Sequence, residues 1–249
     1  MHSFKWWSVF SSGSAIGTLL LLLLMNGQPA LAVVNTEVTR VIFNAGESSA
    51  SLALANTEKH PTLVQVWADN GNLQASPDSN STPIVVLPPV FRMRPAEIRS
   101  LKLLLVDREK LAQDREALFW LNIYQIPPMN DGERHQTHKV VLPLRIRMKV
   151  FVRPQGVGSL KEKEGERLSF AFHSSARQLT IDNPTPWHMT IGKLQCAGYR
   201  SGVIMVAPKT RTPITLQGAG GDCRTVSYEL LNDDGNPWEY RERIVDSLF

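Results

Sequence analysis

Four groups of side chains in this sequence have types and spacings that could do chemistry. His135 and His138 share a loop with Asp131 and Glu133, all residue types that ligate zinc. Polar loops commonly carry such residues, and an exported structural zinc site would want four placed ligands, so we expect no metal. A hydrolase needs a nucleophile, a base and oxyanion donors. The chain beyond its first 32 residues has no G-x-S-x-G, and no catalytic motif places a serine near a histidine. No nucleotide site is visible either, so neither an enzyme nor a cofactor is expected. Cys196 and Cys223 are the two cysteines; in an exported chain they either pair or stay as separate buried thiols. The fourth group is noncovalent. Val140, Leu142, Leu144, Ile146 and Met148 share one face of a regular strand, and Val141, Arg145, Arg147 and Lys149 share the other. Such a strand fits an ordinary half-buried place in a sheet, and at a sheet edge it could complete another sheet.

The elements that must position these residues are strands. From Val33 onward, short segments rich in β-branched residues recur between turn signals, and no helical period persists beyond about three turns. Ala50, Leu52 and Leu54 alternate before Asn56, Val64 and Val66 before Asn70-Gly71, and Leu101, Leu103 and Leu105 after Pro95. One stretch, Val106 to Leu118, could form a short helical connector, with strands resuming at Phe119. The longest strand candidate, Lys139 to Val152, ends at Arg153-Pro154; Gly156, Gly158 and the charged run Lys161 to Glu166 follow and read as a hinge. Beyond it, Leu168 to Phe172 alternates, Leu179 to Asp182 ends at Asn183-Pro184, and further strands surround both cysteines. The expectation is an all-β chain of two immunoglobulin-like β-sandwich domains with a cleft between them, residues 33–155 and 156–249, although the Cys, Trp and Cys spacing of antibody domains is missing.

The remaining signals bound the setting. Lys5 precedes an apolar run from Ala15 to Met25, followed by Gly27, Pro29 and Ala30-Leu31-Ala32, the pattern of a secretory signal peptide over residues 1–32 with cleavage after Ala32. A run of about 11 residues is too short for a bilayer span of roughly 20, and no stable membrane insertion is expected. The 249 residues are 43% hydrophobic and 20% charged with 16 Gly and 16 Pro, which excludes collagen-like, disordered and disulfide-dense classes. A net charge of +4 from interspersed charges does not argue for nucleic acid.

The segment Leu111-Ala112-Gln113-Asp114-Arg115-Glu116-Ala117-Leu118-Phe119-Trp120-Leu121-Asn122-Ile123-Tyr124-Gln125-Ile126-Pro127-Pro128 resembles the signature D-R-E-S-x-F-x-x-N-x-x-x-I-P-P of the PapD-like periplasmic chaperones of chaperone-usher pili. Ala117 departs from the usual Ser or Thr. Thr39 to Phe43, Pro88 to Met93, Lys149 to Pro154, Asn183 to Trp187, and Asn232-Asp233 with Gly235 match further pieces in the family's order. That family is itself a well-known example of immunoglobulin-like sandwiches and of donor-strand complementation.

The resemblance implies a periplasmic protein that binds, folds and caps pilus subunits and delivers them to an outer-membrane usher. Val140, Leu142 and Leu144 would be the donor residues, filling the place of a strand that the subunit lacks. Arg40 and Lys149 would bind the subunit's C-terminal carboxylate in the cleft, and Glu116, Arg153 and Asp233 would form an interdomain salt bridge. At about 3.3 Å per residue, Leu144 would lie roughly 16 Å from Lys149 and Val140 roughly 30 Å, so anchoring the carboxylate fixes which residues face the groove. Pro143 stands where the family usually has a small residue, and a proline there removes one ladder donor. The ten-residue loop Met129 to His138 resembles the short-loop branch. The alternative is an immunoglobulin-like adhesion or pilus structural subunit, but Arg241 to Phe249 does not resemble the alternating subunit terminus.

Overall fold

The computed structural model describes residues 34–78, 82–126 and 143–244. The expected signal peptide, Val140, Leu142 and the loop from Met129 to His138 lie outside the described residues. The first sandwich comprises β1 (Val34–Thr36), β2 (Arg40–Phe43), β3 (Ser49–Asn56), β4 (Thr62–Asp69), β5 (Ile84–Leu87), β6 (Val90–Met93), β7 (Ile98–Leu105), β8 (Ala117–Ile126) and β9 (Leu144–Val152). One sheet runs β1-β3-β7-β5 and the facing sheet β2-β9-β8-β4-β6. The second sandwich comprises β10 (Ser169–His173), β11 (Gln178–Asn183), β12 (Met189–Cys196), β13 (Tyr199–Ser201), β14 (Ile204–Val206), β15 (Thr210–Thr215), β16 (Thr225–Leu231) and β17 (Pro237–Arg243). Its sheets run β10-β11-β15 and β13-β12-β16-β17, with β14 also on β12.

Period-two alternation dictates what each sandwich buries. Leu52, Leu54, Val64, Val66, Leu101, Leu103 and Leu105 all point into the first core, joined by Phe119, Leu121 and Ile123 from β8 and Met148 and Val150 from β9. Phe170, Leu179, Ile181, Ile191, Leu194, Val226, Tyr228 and Leu230 build a separate second core. Truncating one such leucine to alanine costs about 2–5 kcal/mol. Buried amides finish the polar accounting where strands end. Gln125 Oε1 accepts from the Val34 amide at 2.9 Å while its Nε2 donates to the Val34 carbonyl at 3.1 Å, tying β1 to β8. Asn56 and Asn183 do equivalent work in the two sandwiches, each donating to the carbonyl four residues on, His60 at 3.0 Å and Trp187 at 2.8 Å.

The structure refines three local expectations. The connector expected between Val106 and Leu118 holds only a single 3-10 turn, Arg108–Lys110, because its charges have no apolar stripe to bury. Strand structure resumes at Ala117, two residues before the expected Phe119, since Ala117 pairs with Val152. The charged run expected to close the hinge forms a 3-10 helix, Glu162–Arg167, fastened to the second sandwich. Tyr228 and Tyr240 donate their hydroxyls to the carbonyls of Gly165 and Glu162, both at 2.8 Å, and Gly165 lies so close to Tyr240 that a Cβ there would sit 2.4 Å from the ring. A disulfide joins Cys196, at the end of β12, to Cys223, ahead of β16.

Candidate functional site

The site begins with how β9 is held. On one side it pairs with β8 along its whole length, from Leu144 opposite Gln125 to Val152 opposite Ala117. On the other, β2 runs parallel to it and covers only Lys149 to Val152. Among the described residues, Leu144 to Met148 therefore present an unpaired backbone edge. The face that turns toward the core emerges along this stretch: Met148 is buried, Ile146 is half-buried, and Leu144 is 39% exposed. Pro143, immediately before β9, is exposed and outside any strand.

Two cations stand where the paired and unpaired halves meet. The parallel register sets Arg40 of β2 directly beside Lys149 of β9, on the face opposite the core. Both are half-buried, and Arg40 Nε is buried without a hydrogen-bond partner among the described residues. Lys149 Nζ donates to Thr190 Oγ1 at 3.1 Å, and Thr190 belongs to β12 of the second sandwich. Burial, reinforced by the neighbouring Arg40, pushes the Lys149 ammonium down to about 8. Burial also lowers the Arg40 pKa, against the opposing pull of Asp233 and Glu116. Two adjacent, partly desolvated cations favour an anion beside them, and a planar carboxylate can accept hydrogen bonds from both.

A second polar cluster ties the two sandwiches together behind these cations. Arg153, 2% exposed, donates through Nε to Glu116 Oε1 at 2.9 Å and through its terminal nitrogens to Asp233 at 2.8 and 2.6 Å. Glu116 stands immediately before β8, and Asp233 lies in the turn between β16 and β17. The other Glu116 oxygen accepts the His188 backbone N–H at 2.9 Å and faces His188 Nδ1 at 3.1 Å. Burial opposes the Arg153 charge, but the Asp233 hydrogen bond and the charge of Glu116 more than offset it, raising its pKa. Arg108 brackets the same point by donating to the carbonyls of Arg153, Asn44 and Glu47. The Asp233 turn packs tightly: Gly235 has φ +87° and a Cβ there would lie 2.7 Å from Thr39 Oγ1, beside Arg40.

The resemblance groups Arg40 with Lys149, and Glu116 with Arg153 and Asp233; the structure brings both sets together. Leu144 lies on the open edge. Thr190, Arg108 and His188 escape the sequence, because they reach the site from loops or the other sandwich and carry no local signal. So does a cluster on the outer face of the first sandwich. Asp69, fully buried at the end of β4, accepts from Asn122 Nδ2 at 2.7 Å and from Arg147 Nη2 at 2.7 and 2.9 Å. Arg145 and Arg147 both donate through Nε to Asn122 Oδ1, at 2.9 and 3.1 Å, and stack over Trp67 and Trp120 at 5.0 and 4.9 Å. The aspartate followed by Asn70-Gly71 reads as a turn; the arginines on the outer face of β9 are the available hint.

Residues 33–158 match the family described as pili and flagellar-assembly chaperone, PapD N-terminal domain, and residues 163–242 match pili assembly chaperone PapD, C-terminal domain. The chaperone protein MrkB of Klebsiella pneumoniae is 32% identical over 201 residues, spanning 79% of this chain and 85% of that protein. Among solved structures, the Pseudomonas aeruginosa CupB2 chaperone superposes with a TM-score of 0.71 at 29% identity, covering 85% of this chain and 100% of that one. The Salmonella enterica SafB chaperone structure, determined in complex with the SafA pilin, superposes with a TM-score of 0.73 at 25% identity, covering 87% and 99% of the respective chains.

Proposed function

The chain belongs to the family of PapD-like pilus-assembly chaperones, and from that premise we propose that it captures pilus subunits by lending them the open edge of β9. The observation that carries this reading is the unpaired stretch Leu144 to Met148, which ends at two adjacent cations. A subunit whose immunoglobulin-like fold lacks a strand pairs its backbone with this edge, and donor side chains fill its groove. Leu144 is the first donor residue, continuing through Leu142 and Val140 in the sequence. Each buried apolar side chain contributes on the order of 1.5–3 kcal/mol before ordering costs.

Arg40 and Lys149 hold the subunit's terminal carboxylate, a charge-assisted contact contributing roughly 1.5–3 kcal/mol, and thereby set the register of the added strand. The Glu116–Arg153–Asp233 bridge keeps Thr190 facing Lys149 by holding the two sandwiches in one orientation. The first 32 residues direct export to the periplasm, and the loaded chaperone delivers its subunit to an outer-membrane usher. Folding of the subunit supplies the energy when its neighbour's strand replaces the chaperone's.

A pull-down from periplasmic extract tests this, with tagged protein co-expressed with pilin-like subunits. Wild type yields a stoichiometric complex that Lys149→Ala loses while remaining folded. A normal yield from folded Lys149→Ala protein would sink the anchor assignment.

A further inference from the structure

The capture reading requires β9 to keep a defined register along the half that has only one neighbour. Apolar alternation cannot enforce this. From Val140 to Met148 the apolar residues recur with period two, so sliding the strand by two residues leaves every face unchanged. Residues Lys149 to Val152 are held on both sides, by β8 and β2, but Leu144 to Met148 have β8 alone.

The outer-face cluster distinguishes these otherwise equivalent registers. In the observed pairing, Asn122 lies opposite Arg147 and Tyr124 opposite Arg145. Asn122 is fully buried and its amide is committed on both sides: Nδ2 donates to Asp69 and Oδ1 accepts from both arginines. Asp69 lies two strands away from β9, fully buried, and Arg147 neutralises it while Arg145 Nη2 stands 3.6 Å off. Arg145 also donates to the Leu73 carbonyl at 2.8 Å, reaching past β4 to the loop beyond it. A two-residue slip in one direction would set Lys149 opposite Asn122 and Arg147 opposite Tyr124; in the other it would set Arg145 opposite Asn122 and Pro143 opposite Tyr124. Either shift leaves one guanidinium where two are needed and strands hydrogen-bonding capacity beside a buried carboxylate, which is costly. The indole rings of Trp67 and Trp120 further restrict where the two guanidinium planes can lie.

We infer that Asp69 is a positioning residue for subunit capture: acting through Asn122, Arg147 and Arg145, it locks the one-sided half of β9 onto β8 so that the donor edge is formed before a subunit arrives. The inference rests on the capture reading, but its primary readout needs no subunit. Amide hydrogen exchange is measured on the free wild-type protein and on Asp69→Asn, which keeps the shape and removes the charge. The expected result is exchange roughly tenfold or more faster for β9 amides paired with β8 within Leu144 to Met148, with Val150, Val152 and the strands of the second sandwich unchanged. Capture in the pull-down falls alongside. Unchanged protection, a uniform loss across the first sandwich, or local loss with undiminished capture each overturns the inference. Should Asp69→Asn fail to accumulate folded, Arg145→Gln, which spares the Asp69–Arg147 pair, is read by the same criteria. Failure of wild type to capture any subunit would instead strike the capture reading and leave the exchange result standing.

Discussion

Replacing Glu116 by alanine removes one oxygen from Arg153 Nε at 2.9 Å and the other from the His188 N–H at 2.9 Å and ring nitrogen at 3.1 Å. Both charged side chains of the pair are 2% exposed, so water cannot take over without opening the contact between the sandwiches. Arg153 keeps Asp233, whose side chain is 29% exposed and whose hold on the guanidinium is correspondingly screened. Truncating one partner of a buried pair costs about 3–5 kcal/mol, most of it the uncompensated charge left behind. For a chain of this size each kcal/mol moves the melting midpoint by about 2–4 °C, giving a loss of roughly 6–20 °C. Glu116→Gln keeps one acceptor for Arg153 without the charge and costs less, about 1.5–3 kcal/mol. Calorimetry with small-angle scattering on the free protein checks both consequences: an earlier transition and a changed angle between the sandwiches. A Glu116→Ala protein that melts within about 2 °C of wild type with an unchanged scattering curve would refute the reasoning.

Other consequences follow from the same geometry. Because the Lys149 pKa is lowered to about 8 in the folded state, the native protein binds fewer protons than the unfolded chain between about pH 8 and the ordinary lysine value. Lys149 therefore detracts from stability fully below about pH 8, and the penalty fades as pH rises. Subunit binding moves the opposite way, since capture uses the ammonium: affinity measured by titration calorimetry is flat from pH 6 to about 7.5 and weakens above about 8, with proton uptake on binding. The disulfide closes a 27-residue separation, for which loop entropy gives about 3–4 kcal/mol. Replacing Cys196 and Cys223 with serine is expected to lower the second sandwich's unfolding midpoint in denaturant while leaving hydrogen exchange in the first-sandwich strands β3 and β7 unchanged.

The sandwiches are legible in the sequence because strand periodicity is local: Leu52 and Leu54, Val64 and Val66, and Leu101 to Leu105 report their faces within a few residues. The cation pair and the interdomain bridge are not. Nothing in the spacing of Arg40 and Lys149 reveals a parallel β2–β9 pairing, and Glu116, Arg153 and Asp233 lie too far apart in sequence for any local pattern; the family resemblance alone groups them. What escapes even the resemblance depends on side chains reaching across strands or between domains, as Asp69 does through Asn122, or on tyrosine hydroxyls that fasten the backbone of a charged segment, as at Glu162 and Gly165. A run of charges reads as a solvated linker because its sequence carries no trace of the aromatic residues, some 60 or more positions later, that fasten its backbone.

The most direct test of the central claim compares a synthetic peptide ending in a pilus subunit's own C-terminal strand, as the free carboxylate and as the amide, against wild-type and Lys149→Ala protein. Loss of a charge-assisted contact predicts that wild type binds the carboxylate form about 10- to 100-fold more tightly than the amide, and that this preference collapses in Lys149→Ala while the folded variant binds the amide as wild type does. Equal affinity of wild type for the two peptides, or an undiminished carboxylate preference in Lys149→Ala, would contradict an anchor formed by Arg40 and Lys149 beside the open edge of β9.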